Sequence, residues 1–416
     1  MTQRQAKNKF PVIIIGGGAS GLAAACVLSQ NRTPFLLIEK ERKLGRKLLA
    51  TGNGRCNLMN AGAPVYFGDE AFAREALNAC GAKEVGAFFE SIGLAFFEEE
   101  QGRCYPLSRQ AGSVLDALTG CINTFPEGCV LTETEALHIN KTKAGFEVIT
   151  NRGSFFAEKL LLAAGSPAAP KLGGTDSLIE VLRGLGHQSL PFSPALSALI
   201  CKAKDIKGLS GLRVPCTLTL YADGKLKDAA SGEALFTDYG VSGLCAMQLA
   251  RAANEGLEQG RAVALGLDFS ALLGLKVPEY RRLTLEEARP ADKAAILKLL
   301  EKREKLLGKG RLYTGLLPFQ MAVKLKAMSN NMAADWLGDL RLPVSGVKGF
   351  EQAQVASGGL LCAKFEPETM RSKLVPGLYA AGEILNVDGD TGGFNLLFAW
   401  ACGILAAKDI SKSLKD

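Results

Sequence analysis

The chain has 416 residues, 47% of them hydrophobic and 22% charged, with a formal net charge of +7. That length exceeds what one hydrophobic core organises, so two or three domains of globular type are expected. Eleven cysteines without one Cys-x-x-Cys pair argue against a disulfide framework or a zinc site, and a reducing cytoplasm is the expected compartment.

The chain opens with a strand, "VIII", then the turn "GGGASG", the helix "LAAACVLSQN" and a second strand, "FLLIEK". A helical pattern spans roughly 70–93. The β-prone runs "CVLTETEALHI", "FEVIT" and "KLLLAAG" follow, with "GTDSLIEVLRGLG" as a helix between turns. Between about 194 and 267 the texture alternates, and Ala-Asp-Gly in "CTLTLYADGKL" reads as the turn of a hairpin. From 268 to 335 the pattern is helical and charged. "GLYAAGE" and "TGGFNLLFAWACGILAAKDI" then return to the strand-and-helix style of the N-terminus. The expected class is α/β, with a Rossmann-like nucleotide-binding domain formed by both chain ends, 1–193 and 349–416. A β-rich domain (194–267 and 336–348) and a helical piece (268–335) are inserted into it.

Two apolar runs invite a membrane reading. "PVIIIGGGASGLAAACVLS" carries five glycines or prolines in 19 residues, and "FNLLFAWACGILAA" is 14 residues long, short of the about 20 that a spanning helix needs. Both read as buried elements, and no membrane partner is expected. The charge is uneven: residues 281–311 hold ten Lys/Arg against five Asp/Glu, a net excess of five. A solvated basic helix face is the plain reading, and no stable nucleic-acid partner is expected.

Gly16-x-Gly18-x-x-Gly21, with Ala19 and Ser20 inside it, follows a buried strand and opens a helix. Ala25 is small where helix meets strand, and the second strand ends in Glu39, followed by Lys40. This is the dinucleotide fingerprint: glycines admit a pyrophosphate to the helix start, and the acid accepts from a ribose hydroxyl. Between Arg42 and Gly68 the chain then has five cations and no carboxylate. Arg46 and Lys47 suit phosphate charge, and Thr51, Gly52, Asn53, Arg55 and Asn57 form a glycine turn rich in donors. This segment is long enough to wrap over an extended cofactor, which favours FAD over NAD, and its lack of acids fits, because an acid there would repel a diphosphate and a reduced flavin. Ala164 and Gly165 end a further strand. Near the C-terminus, Gly382 and Glu383 close a strand. Gly392, Gly393, Phe394, Asn395 and Leu396 open a helix whose amides suit the pyrimidine side of an isoalloxazine.

The segments "IIIGGGASGLAAA", "LGRKLLATGNGRCNLMN", "RCYPLSRQAGSVLDAL", "LAAGSPAAPKLGGTDS", "GEALFTDYGVSG" and "GLYAAGEILNVDGDTGGFNLLFAWACG" run over nearly the whole chain. In that order they resemble a bacterial family of FAD-dependent oxidoreductases that includes aminoacetone oxidases and 3-dehydro-bile-acid delta-4,6-reductases. The resemblance implies FAD at Ala19, Glu39, Arg46, Lys47, Gly393 and Phe394, with Glu383 near the ribityl chain and Ala136 at the adenine. It also implies a two-part FAD domain with inserted β-barrel-like and helical domains. Asp238 stands where many relatives have His, Leu244 where they have Pro, and Asn386 where an acid is commoner. The Asp-Tyr form leans toward a reductase.

The chain has no second Gly-x-Gly-x-x-Gly and no Cys-x4-Cys pair. Electrons are therefore expected to pass through the flavin, from a visiting NAD(P)H or to oxygen. The leading expectation is NAD(P)H-driven reduction of an activated C=C bond in a cyclic or steroid-like enone. An oxygen-dependent aminoketone oxidase and an RNA-associated flavoprotein are the alternatives. Tyr239, Tyr105 and Asp238 are the candidate proton donors. His138 and His187 read as structural, and Cys56 as a packing thiol. No metal is expected. Oligomeric state is not legible.

Overall fold

The computed structural model describes residues 8–202, 204, 206–277, 279–288 and 291–415. They form two compact units, one running to Phe192 and resuming at Val355, the other Ser193–Gln354.

The first unit is organised by a largely parallel sheet. Strand β1 (Lys9–Ile15) lies between β2 (Phe35–Ile38) and the strand Gly153–Leu162, parallel to both. Gly128–Leu131 pairs beyond β2 in parallel, and Leu378–Ala380 pairs with 153–162. Thus the last strand comes from the far end of the chain, as the sequence indicates. Val12, Ile13 and Ile14 are fully buried, the continuous apolar run expected of a strand covered on both faces. The antiparallel strands Ala136–Thr142 and Gly145–Thr150 extend the opposite edge.

Helix α1 (Ala19–Gln30) has buried residues on every side, Ser20 through Ser29. It is clasped between the sheet and the C-terminal helix Phe394–Ser413. Small residues make that close contact possible: a Cβ on Gly403 would lie 2.2 Å from the Ser20 carbonyl oxygen. The C-terminal helix is 20 residues long, not the 14 read from the apolar run, and it is the one helix among the described residues long and apolar enough to cross a bilayer. Its apolar window is 78% buried in this unit, and Trp400 donates its indole N–H to the Leu58 carbonyl at 2.8 Å. The helical pattern at 70–93 is two helices, Glu70–Ala79 and Ala82–Ser91, broken at Cys80–Gly81.

The second unit is a closed antiparallel barrel. The ring runs Arg213–Ala222, Val263–Asp268, Leu340–Val347, Leu199–Cys201, Gly240–Ser242 and Lys225–Phe236, which pairs back onto 213–222. The hairpin turn lies where it was expected: Asp223 and Gly224 both have positive φ, +50° and +74°, as a type I′ turn requires. The segment 268–335 is not wholly helical, since Arg281–Leu283 pairs with Ala229–Ser231 as an added strand. Its helices Lys293–Leu307, Phe319–Leu325 and Asn330–Gly338 share one apolar core with the barrel, through Ile296, Leu300, Met321 and Leu337.

Candidate functional site

The glycine fingerprint is built by close approach. Gly16 donates its N–H to the Ile38 carbonyl at 2.8 Å, tying the turn to the end of β2. Gly21 has no room for a side chain, because a Cβ there would sit 1.9 Å from the Gly16 carbonyl oxygen. The third glycine therefore lets α1 seat on the strand, with its N-terminal amides at the sheet's C-terminal edge. Ser20 is buried against Gly382, which joins this turn to the C-terminal half.

Glu39 stands just past β2. One carboxylate oxygen accepts the Gly17 N–H at 2.7 Å and the other the Glu41 N–H at 2.8 Å. These bonds fix its orientation and leave acceptor sites on both oxygens, which is what a diol contact needs. Lys40 follows, half-buried. Thr134 donates its N–H to the Glu39 carbonyl at 2.9 Å, bringing the start of the strand that holds Ala136 beside the same loop.

The acid-free run from Arg42 to Gly68 is not acid-free in space. Arg46 pairs with Glu41, which sits one residue before the run, and also donates to the Lys171 carbonyl at 2.7 Å. Lys47 pairs with Glu383 at 2.6 Å, and Glu383 also accepts the Ala356 N–H at 3.1 Å. Arg46 and Lys47, the cations suited to phosphate charge, are thus each anchored by a carboxylate. The pairs carry net charge near zero, and they rigidify the loop.

The turn after it is tightly coiled. Gly52, Asn53, Gly54 and Cys56 all have positive φ, and Thr51 donates its hydroxyl to the Leu48 carbonyl at 2.6 Å. Cys56 is fully buried, and burial pushes its thiol up to about 12, so it is a neutral packing group. Asn53 and Arg55 are exposed. The ring of Tyr105 is buried beside this turn, 3.7 Å from where a Gly52 Cβ would be, with the Arg55 guanidinium 5.3 Å from its centroid.

Gly393 caps the C-terminal helix with φ +107°. A Cβ there would meet the Met59 carbonyl at 2.6 Å and Asn57 Oδ1 at 2.8 Å. That Asn57 oxygen is buried with no hydrogen-bond partner among the described residues. An orphaned acceptor costs stability unless something supplies a donor. Asn60, an amide of the same run, donates to the Gly392 carbonyl at 2.8 Å. Tyr66, missed by the sequence reading, donates its hydroxyl to the Phe394 carbonyl at 2.8 Å. The Asn395 side-chain amide is spent on the turn below it, accepting from the Gly389 N–H at 2.8 Å and donating to the Gly389 carbonyl at 2.7 Å. Leu396 is half-buried, and Ala164 and Gly165 are partly exposed at the end of the strand 153–162.

The other proton-donor candidates belong to the second unit. Asp238 is exposed and accepts from the Ser210 hydroxyl, and the Tyr239 hydroxyl donates to Gln352 Oε1 at 3.4 Å under Lys348. Among the described residues, no group of three or more His, Cys, Asp or Glu could hold a metal ion. The two histidines differ. His138 is exposed, whereas His187 is buried, stacked on Phe365 and hydrogen-bonded to Ser372 at 2.9 Å.

A Gly-rich helix start, an oriented acid, a strand-end glycine pair and a second helix start define a Rossmann-type dinucleotide site. The family described as HI0933-like protein Rossmann domain matches residues 10–409, and the chain belongs to that family. It is a flavoprotein oxidoreductase whose cofactor is FAD. The chain is 31% identical, over 95% of its length and 97% of the relative's, to a 3-dehydro-bile acid delta(4,6)-reductase of Clostridium scindens. It is 26% identical, over 97% and 98%, to the ribosomal RNA dihydrouridine synthase of Escherichia coli. Among solved structures it is similar to a 3-ketosteroid delta1-dehydrogenase from Sterolibacterium denitrificans, with a TM-score of 0.49, 14% identity and coverage of 98% and 100%.

The residues present fit FAD. The Gly16–Gly21 turn and Glu39 suit the adenosine diphosphate, and the Gly393 helix start with the donor-seeking Asn57 oxygen suits a ring bearing N–H groups.

Proposed function

We propose that this chain uses NAD(P)H to reduce a C=C bond conjugated to a carbonyl in a ring, with a steroid-like enone as the leading substrate. The observation that carries this is the 31% identity over 95% of the chain to a bile-acid reductase. Carbonyl conjugation is what makes such a bond electrophilic at its β-carbon. FAD, when bound, supplies the hydride.

The chain's own residues then have three tasks. Lys47 and Glu383 hold the loop and the C-terminal strand together. The helix start at Gly393 presents backbone amides, and their dipole favours negative charge. Tyr105 is the proposed proton donor: its hydroxyl delivers a proton to the α-carbon, and a neutral phenol suits a developing enolate. It stands beside the glycine turn in the same unit as the dinucleotide motif, which favours it over Asp238 and Tyr239. A cytoplasmic location accords with this donor.

A second reading is reduction of the uracil ring in RNA. The bond reduced is again conjugated to a carbonyl, and the relative from Escherichia coli is a ribosomal RNA dihydrouridine synthase. The observation favouring it is a one-sided row of lysines in the second unit. An oxygen-dependent aminoketone oxidase finds no comparable support.

Product analysis tests the first reading. The holoenzyme, NADPH or NADH, and an unsaturated 3-oxo bile acid should yield a product in which one conjugated C=C bond has gained one hydride and one proton. Tyr105→Phe should slow that turnover at least tenfold without changing the reduction of the flavin by NAD(P)H. An unchanged steroid, with aminoacetone consumed and peroxide released, would overturn it.

A further inference from the structure

The basic excess at residues 281–311 leaves open whether its cations share a face. Three of them do, on one helix. Lys298, Lys302 and Lys305 on the helix Lys293–Leu307 follow i, i+4, i+7 spacing, and at 3.6 residues per turn they fall within about 60° of one another. The apolar residues Ile296 and Leu300 are fully buried on the opposite side, in the barrel's core. Lys309 follows just past the helix end, in the short turn Lys309–Arg311. All four lysines are exposed.

The row has no internal neutralisation. None of these four lysines is paired with a carboxylate among the described residues. The cations that do have partners point elsewhere: Lys293 pairs with Asp335, and Arg303 donates to the carbonyls of Leu312 and Thr314. Glu304 accepts from Asn330 at 2.6 Å, so it is held by the neighbouring helix. Glu301 is the one exposed acid beside the row. Lys298 and Lys302 are like charges at i, i+4, a spacing that a helix does not favour.

We propose that the row Lys298–Lys302–Lys305–Lys309 is a docking surface for the phosphate backbone of RNA. The inference rests on the second reading of the substrate. From Lys298 to Lys305 the cations span about 10 Å at the helical rise of 1.5 Å per residue, and Lys309 lies just beyond the helix end. This is a linear positive track that complements the linear negative track of a nucleic-acid strand. Binding of this kind positions the strand without reading its sequence. It differs from a lipid-binding helix, which needs an apolar face free to enter the bilayer. Here the apolar face is already buried in the protein.

The test uses the full-length holoenzyme, a fluorescein-labelled RNA hairpin with a single-stranded tail, and fluorescence anisotropy across a salt series. Four phosphate contacts predict that log K falls with log salt with a slope of about −3. The K298Q/K302Q/K305Q/K309Q protein should bind at least tenfold more weakly at low salt, with a slope near zero. Lys305→Gln alone should lower the slope by about 0.7. Reduction of the bound flavin by NAD(P)H should be the same in all three proteins, which shows that they are folded. Equal affinity and slope in native and quadruple-variant proteins would overturn the proposal. So would binding to phosphatidylglycerol vesicles in the absence of RNA binding. The substrate reading is scored separately. RNA that docks through the lysines but contains no dihydrouridine after turnover removes that reading and leaves the docking surface. Dihydrouridine formed equally well by the quadruple variant removes the docking surface alone.

Discussion

The two units solve the same problem, closing a sheet over a core, and put their tightest backbone contacts to different uses. In the first, function and packing meet at single backbone atoms. Gly21 lies against the Gly16 carbonyl, Gly403 against Ser20, and Gly393 against Met59. In the second, the tight glycines serve strand pairing, Gly240 against the Leu199 carbonyl and Gly243 against the Glu233 carbonyl, whereas the hairpin glycine, Gly224, has open space around the position of a Cβ. Both units thus need absent side chains at particular points, the first where helices seat at the dinucleotide motif and the second where barrel strands meet. A binding motif belongs where backbone must approach a ligand.

The largest expected effect is at Gly21. Gly21→Val forces α1 off its strand, an overpacking cost of about 3 kcal/mol or more, and the purified protein should be colourless or insoluble. Retention of FAD at native stoichiometry would break the comparison at its strongest point. Next is Lys47→Ala, which leaves Glu383, only 18% exposed, without its cation. A loss of about 2 kcal/mol in unfolding free energy is expected, because a partly buried charge is left uncompensated. Lys47→Ala/Glu383→Gln should recover part of it, as measured by chemical denaturation.

Asn57→Leu separates binding from folding. The orphaned oxygen gives nothing to the fold, so the FAD-free protein should melt no lower than the native one. FAD affinity should fall about tenfold, the worth of one lost hydrogen bond at about 1.4 kcal/mol. Gly224→Ala in the barrel should cost about 1 kcal/mol through its positive φ, and should leave the visible spectrum and FAD affinity unchanged.

The smallest effect is a pH dependence. Burial lowers the His187 pKa below its ordinary value of about 6.5, so the folded protein holds this imidazole neutral. Its contribution to stability is complete above about pH 6.5. It is lost as pH falls through that value, where the unfolded chain takes up a proton that the folded one refuses. The melting temperature should therefore decline between about pH 7 and pH 5, and His187→Gln should flatten that decline.

Much of the first unit was legible because its constraints are local in sequence. Gly16, Gly18 and Gly21 follow a buried strand, Glu39 ends the next one, and Gly392–Gly393 open the last helix. The pairing partners were not legible. Lys47 and Glu383 are 336 residues apart, and nothing local to either names the other. Glu41 could have been found, since it sits one position before the cation-rich run that it helps to neutralise. The bonds of the Asn395 side chain to the turn at Gly389 were not legible either, because its residue type suits a cofactor contact equally well. The strand Arg281–Leu283 was hidden by the charged residues around it, because an added outer strand of a barrel carries little apolar signal. The lysine row could be proposed from spacing but not oriented, since the buried side of its helix is fixed only by the barrel core.

The most direct measurement is an anaerobic visible spectrum of the purified holoenzyme, taken through addition of NADH, then NADPH, then an unsaturated 3-oxo bile acid. The account predicts an FAD band that one of the nucleotides bleaches and the enone restores without oxygen. A band that no nucleotide bleaches, or that returns only when air is admitted, would contradict it.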